Sequence, residues 1–204
     1  MNSIRLDGQP LTPSKIVCIG RNYLEHIREL GNETPDAMVI FNKPNSAISQ
    51  TLLAESGEPL HYEGEICFVV RGGELGAVGF GLDLTRRELQ SKLKAKGLPW
   101  ERAKAFDGAA CFSDFVSLGD TPIESLSLQL QVDGELRQDG GYDLMMHKPL
   151  QILEGIREFM SLDDGDIIMT GTPKGVGQVK SGERFVGRIL SADAELVSGE
   201  WVAR

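Results

Sequence analysis

A pair of acidic residues in one short segment is the first candidate for chemistry. Glu63 and Glu65 stand two positions apart, directly before the apolar run 66–70. In a strand, the period of two places both side chains on one face, about 6.5–7 Å apart along the backbone. Carboxylates that point the same way repel unless solvent separates them or a cation lies between them. Two interpretations therefore remain for this pair, a solvated strand face and a metal site. The apolar run that follows favours a buried strand at the floor of a pocket.

Asp83 is a third acid that fits the same picture. It follows the glycine-rich stretch GAVGFG and precedes Thr85, the predicted cap of a helix. An acid at a helix start is also favourable without any ligand, because it lies near the positive end of the helix dipole. Three carboxylates without a neighbouring His or Cys pair suit a hard cation such as Mg²⁺ or Mn²⁺, whereas zinc would recruit His or Cys.

A histidine and a glutamate three residues apart provide a candidate base. His26 and Glu29 lie in the segment RNYLEHIRE, which is predicted to be helical, so both side chains share one helix face. A carboxylate can orient an imidazole and raise its basicity, which makes a general base able to activate water. A surface ion pair would have the same spacing.

Two lysines and one loop are candidates for holding an anion. Lys43 and Lys104 lie among apolar or small residues, where a lysine either reaches to solvent or anchors an anion. The loop 171–177, GTPKGVG, follows an apolar strand and can present backbone N–H groups and a hydroxyl to an anionic ligand. It does not match the phosphate-binding pattern GxxxxGK[ST], and the chain has no GxSxG nucleophile elbow.

Short apolar runs separated by glycines must position these residues, and they predict a strand-rich chain with few helices. The predicted strands are 15–19, 37–42, 64–70, 126–132, 166–170 and 184–190. Strands and helices do not alternate regularly, which disfavours a doubly wound sheet. The pattern indicates a mostly β, mixed α+β fold in a single domain.

Three helices are predicted from capping patterns. The first is capped by Asn22 and Glu25 and is ended by Gly31; the second begins at Thr85 with Glu88 and runs toward Gly97. The third covers 149–159, with proline at its first position. Its predicted apolar stripe consists of Leu150, Leu153, Ile156 and Phe159.

Composition limits the class of protein. The chain has 204 residues, a formal net charge of −9 and 41% hydrophobic residues, with a pI near 4.9. The acidity argues against an extended nucleic-acid surface, and the run 66–70 is too short to cross a bilayer. The first residues show no basic-then-apolar signal pattern, so we expect a cytoplasmic protein. Cys18, Cys67 and Cys111 are widely spaced and odd in number, which predicts buried free thiols.

The ordered set of motifs resembles the fumarylacetoacetate hydrolase family, especially its short acylpyruvase and oxaloacetate decarboxylase branch. The matching segments, in order, are KIVCIGRNYLEHIREL, FNKP, HYEGEICFVV, GLDLTRRELQ, KGLPWERAKAFDG and GDIIMTGTPKGVG. The resemblance implies a mixed β-sandwich roll, usually paired as a homodimer. It also implies a catalytic domain over 15–204, preceded by a short segment 1–14 in place of the family's separate N-terminal domain.

The resemblance also implies roles for individual residues. Glu63, Glu65 and Asp83 would bind Mg²⁺ or Mn²⁺, and His26 with Glu29 would be the catalytic dyad on a mobile lid helix. Lys104 would assist catalysis beside the substrate, a small anionic oxo-acid. The residues implied to contact that substrate are Arg21, Lys43, Arg87, Gln90 and Thr172.

The expected activity is metal-dependent hydrolysis of a C–C bond in acylpyruvates or related β-diketo acids, through a stabilised enolate. The dyad favours hydrolysis, since it can activate water. Oxaloacetate decarboxylation or tautomerisation, and isomerisation or decarboxylation of 2-hydroxyhepta-2,4-diene-1,7-dioate, are the alternatives within the family. A non-catalytic acid-binding protein is the alternative outside it, although such a protein would be expected to lose one of the three acids.

Overall fold

Strands dominate the computed structural model, which describes residues 1–29, 31, 33 and 35–204. Leu30, the last residue of the first motif, therefore lies outside the described residues. The strands are β1 (Ile4–Leu6), β2 (Gln9–Leu11), β3 (Lys15–Gly20), β4 (Val39–Pro44), β5 (Leu60–Tyr62), β6 (Gly64–Arg71), β7 (Glu74–Asp83), β8 (Thr85–Arg86), β9 (Ala110–Phe112), β10 (Val116–Ser117), β11 (Leu126–Val132), β12 (Glu135–Gly141), β13 (Ile167–Met169), β14 (Gly177–Gln178), β15 (Arg184–Ser191) and β16 (Ala194–Val202). The helices are α1 (Leu24–Glu29), α2 (Arg87–Ala95), α3 (Glu101–Lys104) and α4 (Pro149–Arg157).

Two sheets pack against each other. The larger one has the order β10-β7-β6-β13-β3-β4, with β9 also paired to β7, and the smaller one has the order β12-β11-β15-β16. Between them, Phe80 of β7 lies 6.1 Å from the ring of Trp201 in β16. A Cβ atom on Gly187 of β15 would come within 2.2 Å of the Phe80 ring, so only glycine permits this close approach. The mostly β, mixed α+β fold predicted from the sequence is confirmed.

The larger sheet is buried on both faces, which explains the continuous apolar run in β6. One face meets the smaller sheet; the other packs a second apolar cluster that includes Ile4, Cys67 and Phe115. The N-terminal hairpin of β1 and β2 contributes to this second cluster, and Leu6 bridges to Phe115. Residues 1–14 thus cover the sheet that carries the candidate site. All three cysteines are free and buried, as predicted.

Three of the longer strands that were not predicted from the sequence, β7, β12 and β16, have an atypical composition. Strand β7 contains the glycines of GAVGFG, and a Cβ on Gly79 would lie 2.8 Å from the Phe115 ring. Glycine is depleted in strands generally, but here it lets the neighbouring side chains approach the backbone. Strands β12 and β16 are largely exposed and polar, so they lack a buried alternating face. Strand β4 begins at Val39 rather than at residue 37.

The predicted capping patterns of α1 and α2 are wrong. The Asn22 amide instead bonds the backbone of His147 and Thr170, at distances of 2.7–2.9 Å. Thr85 lies in β8, and its hydroxyl accepts a hydrogen bond from Lys104 Nζ at 2.6 Å. Both side chains form hydrogen bonds with residues that are distant in the sequence. Local spacing cannot predict such partners. Gly31 does close α1, with φ +61° and its N–H bonded to Arg28 O.

The apolar stripe of α4 is only partly as predicted. Leu150 and Phe159 are 49% and 61% exposed, and Phe159 follows the end of the helix at Arg157. Pro149, Ile152, Leu153 and Ile156 form the buried face instead. Within the described residues, no helix is both long and apolar enough to span a membrane.

Asp166 ties the first strand of the larger sheet to the turn that precedes β13. Its carboxylate is buried and accepts bonds from the Ser14 hydroxyl at 2.6 Å and Lys15 Nζ at 2.5 Å, besides backbone N–H groups of 14, 15 and 163. Burial opposes the charged form, but these bonds outweigh it and lower the pKa of Asp166.

We predict that Asp166→Asn lowers the free energy of unfolding at pH 7 by about 1–3 kcal/mol, since the buried amide cannot replace the carboxylate as acceptor for Lys15 and Ser14. A depressed carboxyl pKa contributes stability above the unfolded pKa, and this contribution is lost as pH falls through the folded pKa. The free energies of unfolding of the two proteins should therefore begin to converge below about pH 4 and come together at the lower, folded pKa. Asp163→Asn is the matched control, because Asp163 is exposed and lies 3.8 Å from Lys15 Nζ. An equal loss in both variants would contradict the assignment.

Candidate functional site

The three predicted ligand acids meet in one place. Glu63 directly precedes β6, Glu65 lies within β6, and Asp83 ends the neighbouring strand β7. The pairing of these strands brings one carboxylate oxygen from each residue within 4.8 Å of the others. All three side chains are buried. Oxygen ligands of a divalent cation at 2.1–2.5 Å would be separated by distances up to about this value.

Two lysines compensate the carboxylates. Lys104 Nζ donates to Glu63 Oε2 and Asp83 Oδ2, both at 2.8 Å, and to Thr85 Oγ1. Burial alone would lower the pKa of Lys104, but Asp83 and Glu63 outweigh that effect and raise it. Lys43 is completely buried on β4, and its Nζ lies 2.7 Å from Asp83 Oδ1. Because all three hydrogens of Lys104 are engaged and its pKa is raised, this residue provides positive charge rather than a free base.

The carboxylates differ in how well they are compensated. Burial opposes ionisation of Glu63, but Lys104 and Arg87 hold the pKa of that carboxyl well below its usual range. For Glu65, burial and then the negative charges of Asp83 and Glu63 raise the pKa well above its usual range. Within the described chain, the buried Asp83 Oδ1 receives no hydrogen bond, although Lys43 Nζ lies 2.7 Å away as its ion-pair partner. Three clustered carboxylates, one of them with a raised pKa, and an oxygen without a hydrogen bond fit a divalent cation bound by Glu63, Glu65 and Asp83.

A cleft opens onto this cluster. Of the predicted substrate contacts and catalytic residues, it is lined by Arg21, His26, Arg87, Gln90, Lys104 and Thr172. Lys43 contacts Asp83 and is not among the residues that line the cleft. Its position therefore fits an ion-pair partner of Asp83 better than the predicted substrate contact. The Thr172 hydroxyl donates to Gly64 O at 2.8 Å, so its proton is already used by the backbone. The Gln90 side-chain oxygen accepts from Arg87 at 3.0 Å.

The predicted His–Glu dyad is present in α1. His26 Nδ1 lies 3.2 Å from Glu29 Oε2, and the imidazole is buried at the edge of the cleft. Among the described residues, the other ring nitrogen has no hydrogen-bond partner, so it remains available to a ligand. Sequence reasoning missed two further cleft residues, Lys94 on α2 and Trp100 before α3. Trp100 lies in the motif KGLPWERAKAFDG, which was quoted without a role for this position, whereas Lys94 lies two residues before that motif.

Two backbone N–H groups of the loop 171–177 bind protein carboxylates. Gly171 N–H donates to Glu65 Oε2 at 2.7 Å, and Gly175 N–H donates to Glu29 Oε1 at 3.0 Å. One loop therefore orients an acid of the proposed metal site and the acid of the dyad. This joint role depends on long-range folding, so no local sequence pattern could show it.

Comparison with known proteins agrees with this geometry. Residues 15–197 match the family described as fumarylacetoacetate (FAA) hydrolase C-terminal. The chain belongs to the fumarylacetoacetate hydrolase family. Oxaloacetate tautomerase YcgM of Escherichia coli (strain K12) is 36% identical over 189 residues, covering 84% of this chain and 86% of that protein. The mitochondrial oxaloacetate tautomerase FAHD1 of Bos taurus is 40% identical over 187 residues, covering 83% and 84%.

A solved structure of the family is similarly close. Fumarylpyruvate hydrolase from Pseudomonas aeruginosa, in complex with Mn²⁺ and pyruvate, superposes with a TM-score of 0.86 and 31% identity. The match covers 100% of this chain and 96% of that one. The family and the β-rich roll expected from the sequence are thus confirmed, and the relatives include both tautomerases and a hydrolase.

Gly175 provides a test of the link between the loop and the dyad. Its φ is +97°, and a Cβ atom would come within 1.9 Å of the Arg137 carbonyl oxygen. We predict that Gly175→Ala displaces the N–H that holds Glu29 and lowers turnover of the oxo-acid at least tenfold, by analogy with loss of other positioning contacts. Gly182→Ala is the matched control, since Gly182 has φ +87° with nothing within 4 Å of a Cβ.

Both glycine variants carry the strain of a left-handed residue, which should cost about 1 kcal/mol in thermal or denaturant unfolding, and Gly175→Ala adds the clash with Arg137 O. Only Gly175→Ala should lose activity beyond this loss of stability. Equal activity of the two folded variants would contradict a positioning role for the Gly175 N–H.

Proposed function

We propose that this protein is a divalent-metal-dependent tautomerase of small 2-oxo acids, with oxaloacetate as substrate. The observation that carries the proposal is the placement of His26. Glu29 holds one ring nitrogen, while the imidazole lines a cleft whose floor is the three carboxylates and Lys104. The sequence analysis placed C–C hydrolysis first, but the tautomerase relatives favour the alternative that it kept open.

Keto–enol tautomerisation requires little machinery. A proton moves between carbon 3 and the oxygen on carbon 2, so one base must lie beside a place where negative charge on oxygen is stabilised. Imidazole is the usual side chain for proton transfer near neutral pH. His26 would take the proton from carbon 3 and deliver it to the oxygen on carbon 2, and the reverse transfer would convert the enol to the ketone. Glu29 keeps the ring oriented and stabilises its charged form.

The remaining cleft residues would hold the oxo-acid in place. A cation bound by Glu63, Glu65 and Asp83 would act as a Lewis acid toward the oxygens of the substrate. The Lys104 ammonium adds a fixed positive charge at the same floor. Arg87 bonds both Glu63 and the Gln90 oxygen, which leaves the Gln90 amide nitrogen as a donor toward the cleft.

Hydrolysis of acylpyruvates is the second candidate. The same dyad could deprotonate a water molecule, and the similar Pseudomonas aeruginosa structure is that of a fumarylpyruvate hydrolase with Mn²⁺ and pyruvate. Decarboxylation would use the same stabilised enolate without a water nucleophile. The products distinguish tautomerisation from hydrolysis and decarboxylation, because only tautomerisation leaves the carbon skeleton intact.

The cytoplasmic location and the homodimer expected from the sequence stay predictions. Light scattering of the purified full chain measures the second of these directly.

Metal binding is predicted to depend on Glu65. Glu65→Gln removes one ligand charge from the cluster, and we expect the affinity for Mn²⁺ to fall by about 10- to 100-fold, the range seen when metal-site contacts are removed. Calorimetric titration and the paramagnetic signal of free Mn²⁺ measure this without any assay of turnover. Glu101→Gln alters an exposed acid on α3 and should bind as the native chain does. Unchanged binding in Glu65→Gln would contradict the proposed site.

The decisive assay follows the ultraviolet absorbance of enol-oxaloacetate in the presence of Mg²⁺ or Mn²⁺. We expect the native chain to accelerate ketonisation over the metal alone. His26→Asn should lower kcat by about 100-fold or more, the typical contribution of a general base. Glu29→Gln should cause a smaller loss, since the imidazole stays in place without its orienting charge.

His147→Asn is the control for loss of an imidazole, because His147 lies outside the residues that line the cleft. Fumarylpyruvate and acetylpyruvate are assayed in parallel for cleavage. If kcat/KM for cleavage exceeds kcat/KM for ketonisation, the protein is a hydrolase and the tautomerase proposal is wrong. Full activity of His26→Asn in both assays would overturn the role of the dyad in either reaction.

A further inference from the structure

Two positive side chains line the rim of the cleft, above its buried floor. Lys94 and Arg21 are partly exposed, whereas the floor residues Glu65, Asp83 and Lys104 are no more than 2% exposed. In the part of the chain that the structure describes, no carboxylate lies within 4 Å of either rim cation, so neither belongs to an ion pair. This distinguishes them from Lys104, Lys43 and Arg87, which compensate the floor carboxylates.

Lys94 is held against an aromatic side chain. Its Nζ lies 4.9 Å from the centroid of the Trp100 ring, which is cation–π distance. Burial, and then the positive charge of Arg21, lower the pKa of Lys94 to about 8, although Glu63 acts in the opposite direction. The lysine therefore remains largely charged at neutral pH although other cations lie nearby. An incoming anion would stabilise its charged form.

Arg21 is unusual in both its backbone and its side chain. Its φ is +57°, a left-handed conformation that costs a residue with a side chain about 1 kcal/mol or more. The buried Nε has no hydrogen-bond partner among the described residues, and Nη1 reaches only the Glu33 carbonyl at 3.4 Å. A buried guanidinium N–H without an acceptor is costly unless a ligand completes it.

An aromatic pair lies between this rim and Lys104 at the floor. The rings of Phe41 and Trp100 lie 5.8 Å apart, Lys104 Nζ lies 5.3 Å from the Phe41 ring, and Lys94 Nζ lies on Trp100. Trp100 lies beside Gly20, where a Cβ atom would be 3.5 Å from Trp100 Cζ3, an ordinary van der Waals distance. Positively charged side chains thus lie at both ends of the cleft with apolar walls between them, and only those at the floor are balanced by carboxylates.

We propose that Lys94 and Arg21 form a second anion subsite, which takes the distal carboxylate of a dicarboxylic oxo-acid whose 2-oxo-acid end lies at the floor. The inference rests on the proposed tautomerase function and deepens it, because oxaloacetate carries that second carboxylate and pyruvate does not. The subsite therefore selects dicarboxylic over monocarboxylic oxo-acids.

The test removes the charge of Lys94 and compares two ligands with the same 2-oxo-acid end. In Lys94→Gln, we expect KM for enol-oxaloacetate to rise about tenfold or more, the value of one lost charge-assisted hydrogen bond. The inhibition constant of pyruvate should change less than twofold, because pyruvate reaches only the floor. Lys94→Arg should restore most of the affinity for oxaloacetate. Lys96→Gln, an exposed lysine two residues further along, is the control and should match the native chain.

The outcomes separate this inference from the proposed function. If the native chain does not ketonise oxaloacetate, the tautomerase proposal fails, but calorimetric titration with oxaloacetate and pyruvate in the presence of Mg²⁺ still tests the subsite. A native preference for oxaloacetate that disappears in Lys94→Gln supports the subsite. Equal weakening of both ligands, or no weakening of oxaloacetate, overturns it.

Discussion

Negative charge buried at one point is the constraint on which the arrangement of this protein depends. Three carboxylates within 4.8 Å of one another cannot all be ionised in a dry interior without compensation. The compensating cations come from three separate elements: Lys43 of β4, Arg87 of α2 and Lys104 of α3. With these three charges the cluster is formally neutral, 3 − 3 = 0. Charge balance therefore links the centre of the larger sheet to two short helices that little apolar surface would otherwise hold in place.

The same constraint connects the proposed metal site to the proposed base. Glu65 is the acid that the lysines compensate least, and its strongest local contact is the Gly171 N–H. Four residues later, the same loop holds Glu29 through Gly175. A displacement of this loop would disturb both the metal-facing carboxylate and the orientation of His26. Gly171 and Gly175 of GTPKGVG are thus explained by backbone geometry at two acids.

Local spacing in the sequence already grouped several candidate residues. Glu63 and Glu65 stand two positions apart at the start of β6, and His26 and Glu29 share a helix face. The place of Lys43 behind Asp83 could not be predicted, because it depends on which strands pair. Strand β7 was missed for a related reason: its glycines break the local strand signal while serving contacts with Phe115 and Cys67 from elsewhere in the chain. Thr85 and Asn22 are residue types that commonly cap helices, but in the structure their side chains form hydrogen bonds with distant residues instead.

Net charge and local charge act differently on an anionic substrate. The chain carries −9 overall, so long-range steering does not favour the approach of an oxo-acid, and salt screens such fields beyond about 8 Å at physiological ionic strength. Inside the cleft, the net charge of the lining side chains differs between the rim and the floor. The floor is neutral before a cation binds, whereas the rim carries Arg21 and Lys94 without a partner carboxylate among the described residues. An incoming dianion would therefore meet uncompensated positive charge first at the rim, and its 2-oxo-acid end would be drawn deeper only once a divalent cation makes the floor positive.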